Sequence, residues 1–152
     1  MGGWIMLLAA LMRPNKIVGL IGLAAAADFT EEAIWNCMTD EQKEKIVMDK
    51  QVQFGNEFCS DSYPISLELI MQARQHLLLS KEIMLDLPIR LIHGMEDKDI
   101  PYSTSIRIAE KVVGKDVRIH LLKNSGHRLS EIAELELIYQ VISEVYSLSL
   151  KK

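Results

Sequence analysis

Apolar positions along the chain follow two alternating rhythms. The run Lys16–Ala24, KIVGLIGLA, is rich in β-branched residues and apolar on both faces, as expected of a strand buried within a parallel sheet. Pro88–Gly94, PIRLIHG, reads as a second strand, with its proline tolerable at the first position. Asp116–Lys123, DVRIHLLK, alternates instead: Val117, Ile119 and Leu121 share one face, Arg118 and His120 the other, which suits a strand nearer a sheet edge. Between the second and third strands, Ile106, Ala109, Val112 and Val113 mark one face of a helix, with Gly114 expected as its C′ terminator. After the third, Ile132, Leu135, Ile138, Ile142 and Val145 predict a stripe on a long C-terminal helix capped by Ser130. Strand, helix, strand, helix is the pattern of right-handed βαβ units. The expected fold class is therefore α/β, with three parallel strands at about 16–24, 88–94 and 116–123 and helices flanking them.

Two stretches fall outside this rhythm. Residues 28–87 are too long for a simple crossover and hold two or three helical patterns; Thr39-Asp-Glu-Gln42 forms a capping box, and Ser66 opens a helix expected to reach about Ser80. An inserted helical cap or lid over the carboxyl edge of the sheet explains the length, leaving 1–27 and 88–152 as the core. The opening run Trp4–Met12 carries no charge. It is too short to span a bilayer. No Lys or Arg precedes it, as a secretory signal requires, and Met6 stands where N-myristoylation needs Ser or Thr. A buried helix is expected there.

Composition narrows the function classes. The chain has 152 residues, 49% hydrophobic and 25% charged, enough for one well-packed domain. A formal net charge of −4, with no basic stripe, argues against a nucleic-acid partner. Cys37 and Cys59 have no metal-ligand spacing; structural thiols in a reduced, cytoplasmic compartment are expected, with a single disulfide as the alternative. No phosphate-cradling glycine loop is present, so no cofactor and no metal are expected.

The candidate chemistry lies in two loops. HGMEDKDIP (His93–Pro101) follows the second strand and NSGHRLS (Asn124–Ser130) follows the third. If the strands are neighbours, both loops emerge at the same sheet edge and can bring Asp97 to His127. A carboxylate on imidazole Nδ1–H fixes the tautomer and makes the other nitrogen a directed base. A lone Asp in a Gly-rich turn more often serves the turn itself. The pairing at successive strand ends, in Asp-before-His order, favours chemistry. His93 reads as a satisfied strand-end residue and His76 as a helix-surface one, while Ser103 and Ser105 read as helix caps.

These motifs resemble the C-terminal half of the α/β-hydrolase superfamily. HGMEDKDIP matches its H-G-x-x-D-x-x-V/I-P pattern with Asp97 in the acid position, and SGH places His127 as the histidine. RPNKIVGLIGLAAAAD and LPIRLIHGMEDKDIP are similar to the subgroup of abhydrolase domain-containing protein ten, whose members are serine esterases and acyl-protein thioesterases. The resemblance implies an acyl ester or thioester substrate, small or protein-borne. It also matches MGGW to the end of a G-x-S-x-G-G-W elbow, so that Met1 and Gly2 fall in the oxyanion-hole region and the serine falls one position ahead of Met1. Asp97 and His127 are then present without the nucleophile, and Ser125 lacks the strand-to-helix elbow a replacement needs. Three readings follow: a hydrolase half completed by an N-terminal fragment, a non-catalytic remnant or binding scaffold, or a whole enzyme with a misassigned start. On the first two, this chain alone is expected to be inactive.

Overall fold

The computed structural model describes residues 1–55 and 62–150. Two compact units emerge, one formed by Met1–Ala27 with the chain from Leu78 onward, the other by Asp28–Leu77.

The first unit is built on three parallel strands, β1 (Leu20–Leu23), β4 (Ile89–Gly94) and β5 (Val117–Leu122), in the order β1-β4-β5. Every residue of the central strand β4 is buried, its apolar residues Ile89, Leu91 and Ile92 together with the polar Arg90 and His93. Partners in register place Leu91 beside Gly22 and Ile119, and Ile92 beside Leu23 and His120. β1 is shorter than the sequence pattern predicts. Pro14–Lys16 form a 3-10 turn instead, because proline fixes φ and donates no N–H to a ladder.

Helices cover both faces of the sheet. α1 (Gly2–Met12) buries Trp4, Leu7 and Ala10 and stops at Arg13-Pro14, so the opening apolar run is a helix, as expected. α4 (Ser103–Lys111) ends sooner than its apolar spacing suggests. Val112 turns extended and joins Ile83 in a parallel bridge, so Gly114 is not the C′ residue; its N–H bonds Leu85 O instead. The buried positions of α4 are Thr104, Ser105 and Ile108, while Val113 is exposed.

α5 (Ile132–Ser149) is capped by Glu131, not Ser130, through a reciprocal box with Glu134. Its inward residues are Glu134, Val141 and Val145, with Leu137 and Ile138 packed beside Ile92 and Leu129. Ile132, Leu135 and Ile142 of the expected stripe are exposed. An ion pair sets this rotation. Arg90 of β4 is fully buried and bonds Glu144 of α5 at 2.7 Å and Asp116 at 2.9 Å, with further bonds to Ile89 O and Asp116 O. A buried guanidinium must find carboxylates, and turning Glu144 toward it turns 141 and 145 inward and 142 outward. The ion pair holds Glu144 below the ordinary carboxylate pKa, chiefly through the hydrogen bond from Arg90.

The second unit contains α2 (Asp40–Asp49), an antiparallel hairpin of β2 (Gln51–Phe54) and β3 (Tyr63–Ser66), and α3 (Leu67–Ala73). Thr39 and Gln42 form the expected capping box, and Ser66 accepts from Leu69 N–H as expected. The hairpin was not expected. α3 also ends at Ala73, well before Ser80. The unit has its own core of Ile34, Met38, Ile46, Val52, Phe54, Ile65 and Ile70. Cys37 is an exposed free thiol, and Cys59 lies outside the described residues.

Candidate active site

Parallel pairing of β4 and β5 delivers the two motif loops to one edge of the sheet. Gly94 ends β4 opposite Leu122. The loops then join: Met95 N–H bonds Leu122 O at 2.8 Å and Glu96 N–H bonds Ser125 O at 3.0 Å. Gly94 permits the approach, since a Cβ there would lie 2.2 Å from Ser125 O and 2.5 Å from Gly126 O. Asp97 closes a tight turn. Its Oδ1 accepts from the N–H groups of Asp99 and Ile100, each at 2.9 Å. Its Oδ2 lies 2.8 Å from His127 Nδ1. Beyond His127, Leu129 adopts a left-handed φ of 49° and is buried against Ile92 and Val141. Such a conformation is costly for leucine and persists where packing over-determines it. The histidine loop is thereby pinned on both sides.

Exposure separates the two groups sharply. The Asp97 side chain is 0% exposed and that of His127 43% exposed. Burial alone would raise the Asp97 pKa. The N–H of Ile100, the hydrogen bond and charge of His127, and the N–H of Asp99 outweigh it, and the carboxyl is held below its ordinary value. Asp97 is therefore an anion at neutral pH. Its acceptor-only oxygen requires the proton of neutral His127 to sit on Nδ1, leaving Nε2 as the basic nitrogen. Among the described residues Nε2 has no hydrogen-bond partner. Asp97, Asp99 and His127 also place ligand atoms within 4.8 Å of one another. Both Asp97 oxygens are already engaged by N–H donors, so an ion there would have to displace the Asp97–His127 bond.

Other residues named from the sequence fall as follows. Asp99, two residues beyond Asp97 in the same motif, contributes its N–H to Asp97 and does not bond His127. Met1 is the N-cap of α1, with its carbonyl accepting from Trp4 and Ile5, and Gly2 is the first helical residue. His76 lies in the second unit, in the turn Arg74–His76. Ser105 is not a cap: it is fully buried, 2.7 Å from His93 Nδ1. His93 in turn reaches Asp97 Oδ2 at 3.1 Å and Ile100 O at 3.0 Å. Taken one at a time from the sequence, a strand-end histidine and a helix-cap serine give no sign of the bond between them. Their link was signalled only by the i,i+4 spacing of His93 and Asp97 and by the polar Ser105 on the inward face of α4.

The fold is similar to that of known proteins. No protein-family model matches the chain. A human protein named palmitoyl-protein thioesterase ABHD10, mitochondrial, is 37% identical over 146 residues, which are 95% of this chain and 47% of that protein. The structure of mouse alpha/beta hydrolase domain-containing protein 10 superposes with a TM-score of 0.85 at 32% identity, covering 95% of this chain and 58% of the other. A putative hydrolase from Agrobacterium vitis S4 shares the fold, with a TM-score of 0.86 at 22% identity over 95% of this chain and 58% of the other. The chain thus spans about half the length of the curated relatives it matches. Among the described residues no helix is long and apolar enough to cross a membrane. Sheet order and sequence identity agree: the chain has the fold of an α/β-hydrolase and is similar to the C-terminal part of one.

Proposed function

We propose that this chain supplies the acid and the base of a serine-type hydrolase of carboxylic esters or thioesters. The observation that carries this reading is the 2.8 Å bond between buried Asp97 and exposed His127. Asp97 fixes the imidazole and stabilises its charged form, while Nε2 faces outward as general base. The nucleophile comes from a G-x-S segment ahead of α1, either on a separate fragment or on a longer chain. In the reaction, Nε2 takes the serine proton as the oxygen attacks the acyl carbonyl, then returns it to the leaving thiol or alcohol. Water repeats the cycle on the acyl-enzyme. On a longer chain the amide N–H groups of Met1 and Gly2 at the N-terminus of α1 are available to the developing oxyanion, because the first N–H groups of a helix lack intrahelical acceptors, whereas with the serine on a separate fragment Met1 offers a terminal amine instead. The substrate class is that of acyl thioesters and esters on small carriers or proteins, by analogy with the thioesterase named among the relatives. The unit Asp28–Leu77 is the proposed lid that shapes acyl selection.

A fluorophosphonate probe tests this reading. The chain alone should show no labelling or acyl-ester turnover above its His127→Ala variant. Adding a fragment that ends in G-x-S should produce labelling of that serine, abolished by His127→Ala. Labelling of this chain alone, or an associated pair that stays unlabelled, would sink the proposal.

A further inference from the structure

His93 is fully buried, and every polar neighbour constrains its protonation. Its Nε2 faces two groups that only accept, Asp97 Oδ2 at 3.1 Å and Ile100 O at 3.0 Å. In the neutral ring Nε2 must therefore carry the hydrogen. Nδ1 is then a bare lone pair, and the one donor beside it is the Ser105 hydroxyl at 2.7 Å. The order of donation follows without freedom: Ser105 O–H to His93 Nδ1, His93 Nε2–H shared between Ile100 O and Asp97 Oδ2. His127 Nδ1–H reaches that same Oδ2. Two imidazoles of opposite tautomer thus converge on one carboxylate oxygen.

We infer that His93 is a positioning residue for the acid–base pair, held in its Nε2–H tautomer by Asp97 Oδ2 and Ile100 O and braced at Nδ1 by Ser105 of α4. This deepens the proposed hydrolase role and rests on it for its catalytic meaning. The backbone N–H groups of Asp99 and Ile100 fix Oδ1 but leave the carboxylate able to swivel about that side. The His93 Nε2–H fixes Oδ2 from the opposite direction, so the oxygen that receives His127 cannot rotate away. His93 also ties the acid loop to itself, because the Ile100 carbonyl it holds belongs to the residue whose N–H binds Oδ1. A ring at this place without donors would keep the volume and lose the lock. The Ser105 hydroxyl extends the chain of bonds into α4, a rigid element, so the acid is referenced to the helix layer as well as to β4.

Nitrogen-15 NMR of the imidazoles tests the inference on this chain without needing any nucleophile. The expected wild-type result is His93 as the pure Nε2–H tautomer and His127 as the pure Nδ1–H tautomer. His93→Phe should leave the fold intact by its amide spectrum yet return His127 to a mixture of tautomers. His93→Gln, which keeps an amide donor near the Nε2 position, should restore the single tautomer. If His93→Phe destabilises the chain too far, Ser105→Ala gives the second reading: Nε2 should stay protonated, because its two acceptors remain, while the Nδ1 resonance moves on losing its donor, and an unmoved Nδ1 resonance would overturn the chain of bonds. A wild-type His93 protonated on Nδ1, or a His127 tautomer unmoved by His93→Phe in a folded chain, would overturn the inference. In a completed enzyme, His93→Phe should lower kcat by roughly 10-fold to 100-fold with KM little changed, and His93→Gln should recover most of it. Correct tautomers with no activity in the completed enzyme would refute the hydrolase reading and leave the positioning role standing.

Discussion

Gly94→Ala is the substitution that most sharply probes how the two loops are joined. The new Cβ would sit 2.2 Å from Ser125 O and 2.5 Å from Gly126 O, both backbone atoms that no rotamer change can move. A carbon and a carbonyl oxygen need more than ~3 Å, so the histidine loop must retreat by roughly 1 Å or distort. The bond from His127 Nδ1 to Asp97 Oδ2 is 2.8 Å, and the same retreat carries it beyond hydrogen-bonding range. Overpacking of this kind costs about 1–3 kcal/mol, and a misplacement near 1 Å lowers catalysis by roughly 100-fold. The assay is thermal unfolding together with the His127 imidazole spectrum. Gly94→Ala should lower Tm and abolish the single Nδ1–H tautomer. Gly126→Ala is the matched control, because a Cβ there meets nothing within 4 Å. If Gly94→Ala keeps both the parent Tm and the parent His127 signal, the steric coupling of the loops is wrong.

Other consequences can be checked in parallel. Arg90→Ala removes a buried cation and strands its carbonyl partners while leaving the partly exposed Glu144 and Asp116 to water, and should cost about 1–3 kcal/mol in urea unfolding, whereas Arg118→Ala, exposed on the same Glu144, should cost under about 1 kcal/mol; equal losses would contradict the structural role given to Arg90. Asp97 and Glu144 both titrate below their ordinary values in the folded chain, so the stability they contribute is complete above about pH 4.5 and is lost as acid passes through their folded-state pKa values. Asp97→Asn should accordingly flatten the acid limb of the stability curve, and an unchanged limb would refute its share. Among the described residues β1 pairs on one side only, with β4, and Leu23 and Val18 are exposed beside the open edge. The isolated chain should therefore self-associate in light scattering, Leu23→Lys should reduce this, and a monodisperse parent monomer would contradict it.

How far the sequence revealed this architecture depended on the kind of signal. Three parallel strands were legible because short apolar runs mark them and the loops after β4 and β5 carry motifs, whereas nothing local showed that Arg90 and His93 within β4 would be fully buried. Asp97, not Asp99, was readable from the motif spacing, and the structure places it on His127. The inward face of α5 was not legible. That helix is apolar around much of its surface, so periodicity fits more than one rotation, and the deciding contact, Arg90 to Glu144, joins residues remote in sequence. The hairpin of β2 and β3 was hidden for a similar reason: its strands are four residues each, shorter than the helical patterns around them. Ser105 was misread as a cap because local spacing cannot show a buried histidine lying across from it.

Asp97 and His127 are the proposed acid–base pair of an ester or thioester hydrolase. The most direct test is the turnover of an acyl thioester by the enzyme completed with its serine-bearing segment, compared between Asp97→Asn and Asp99→Asn. An amide at position 97 favours the wrong imidazole tautomer and should lower kcat by about 10⁴-fold, as in the serine protease case, while Asp99→Asn, whose backbone N–H is retained, should change it by less than about 10-fold. Equal effects at the two positions, or full turnover with Asp97→Asn, would contradict the account.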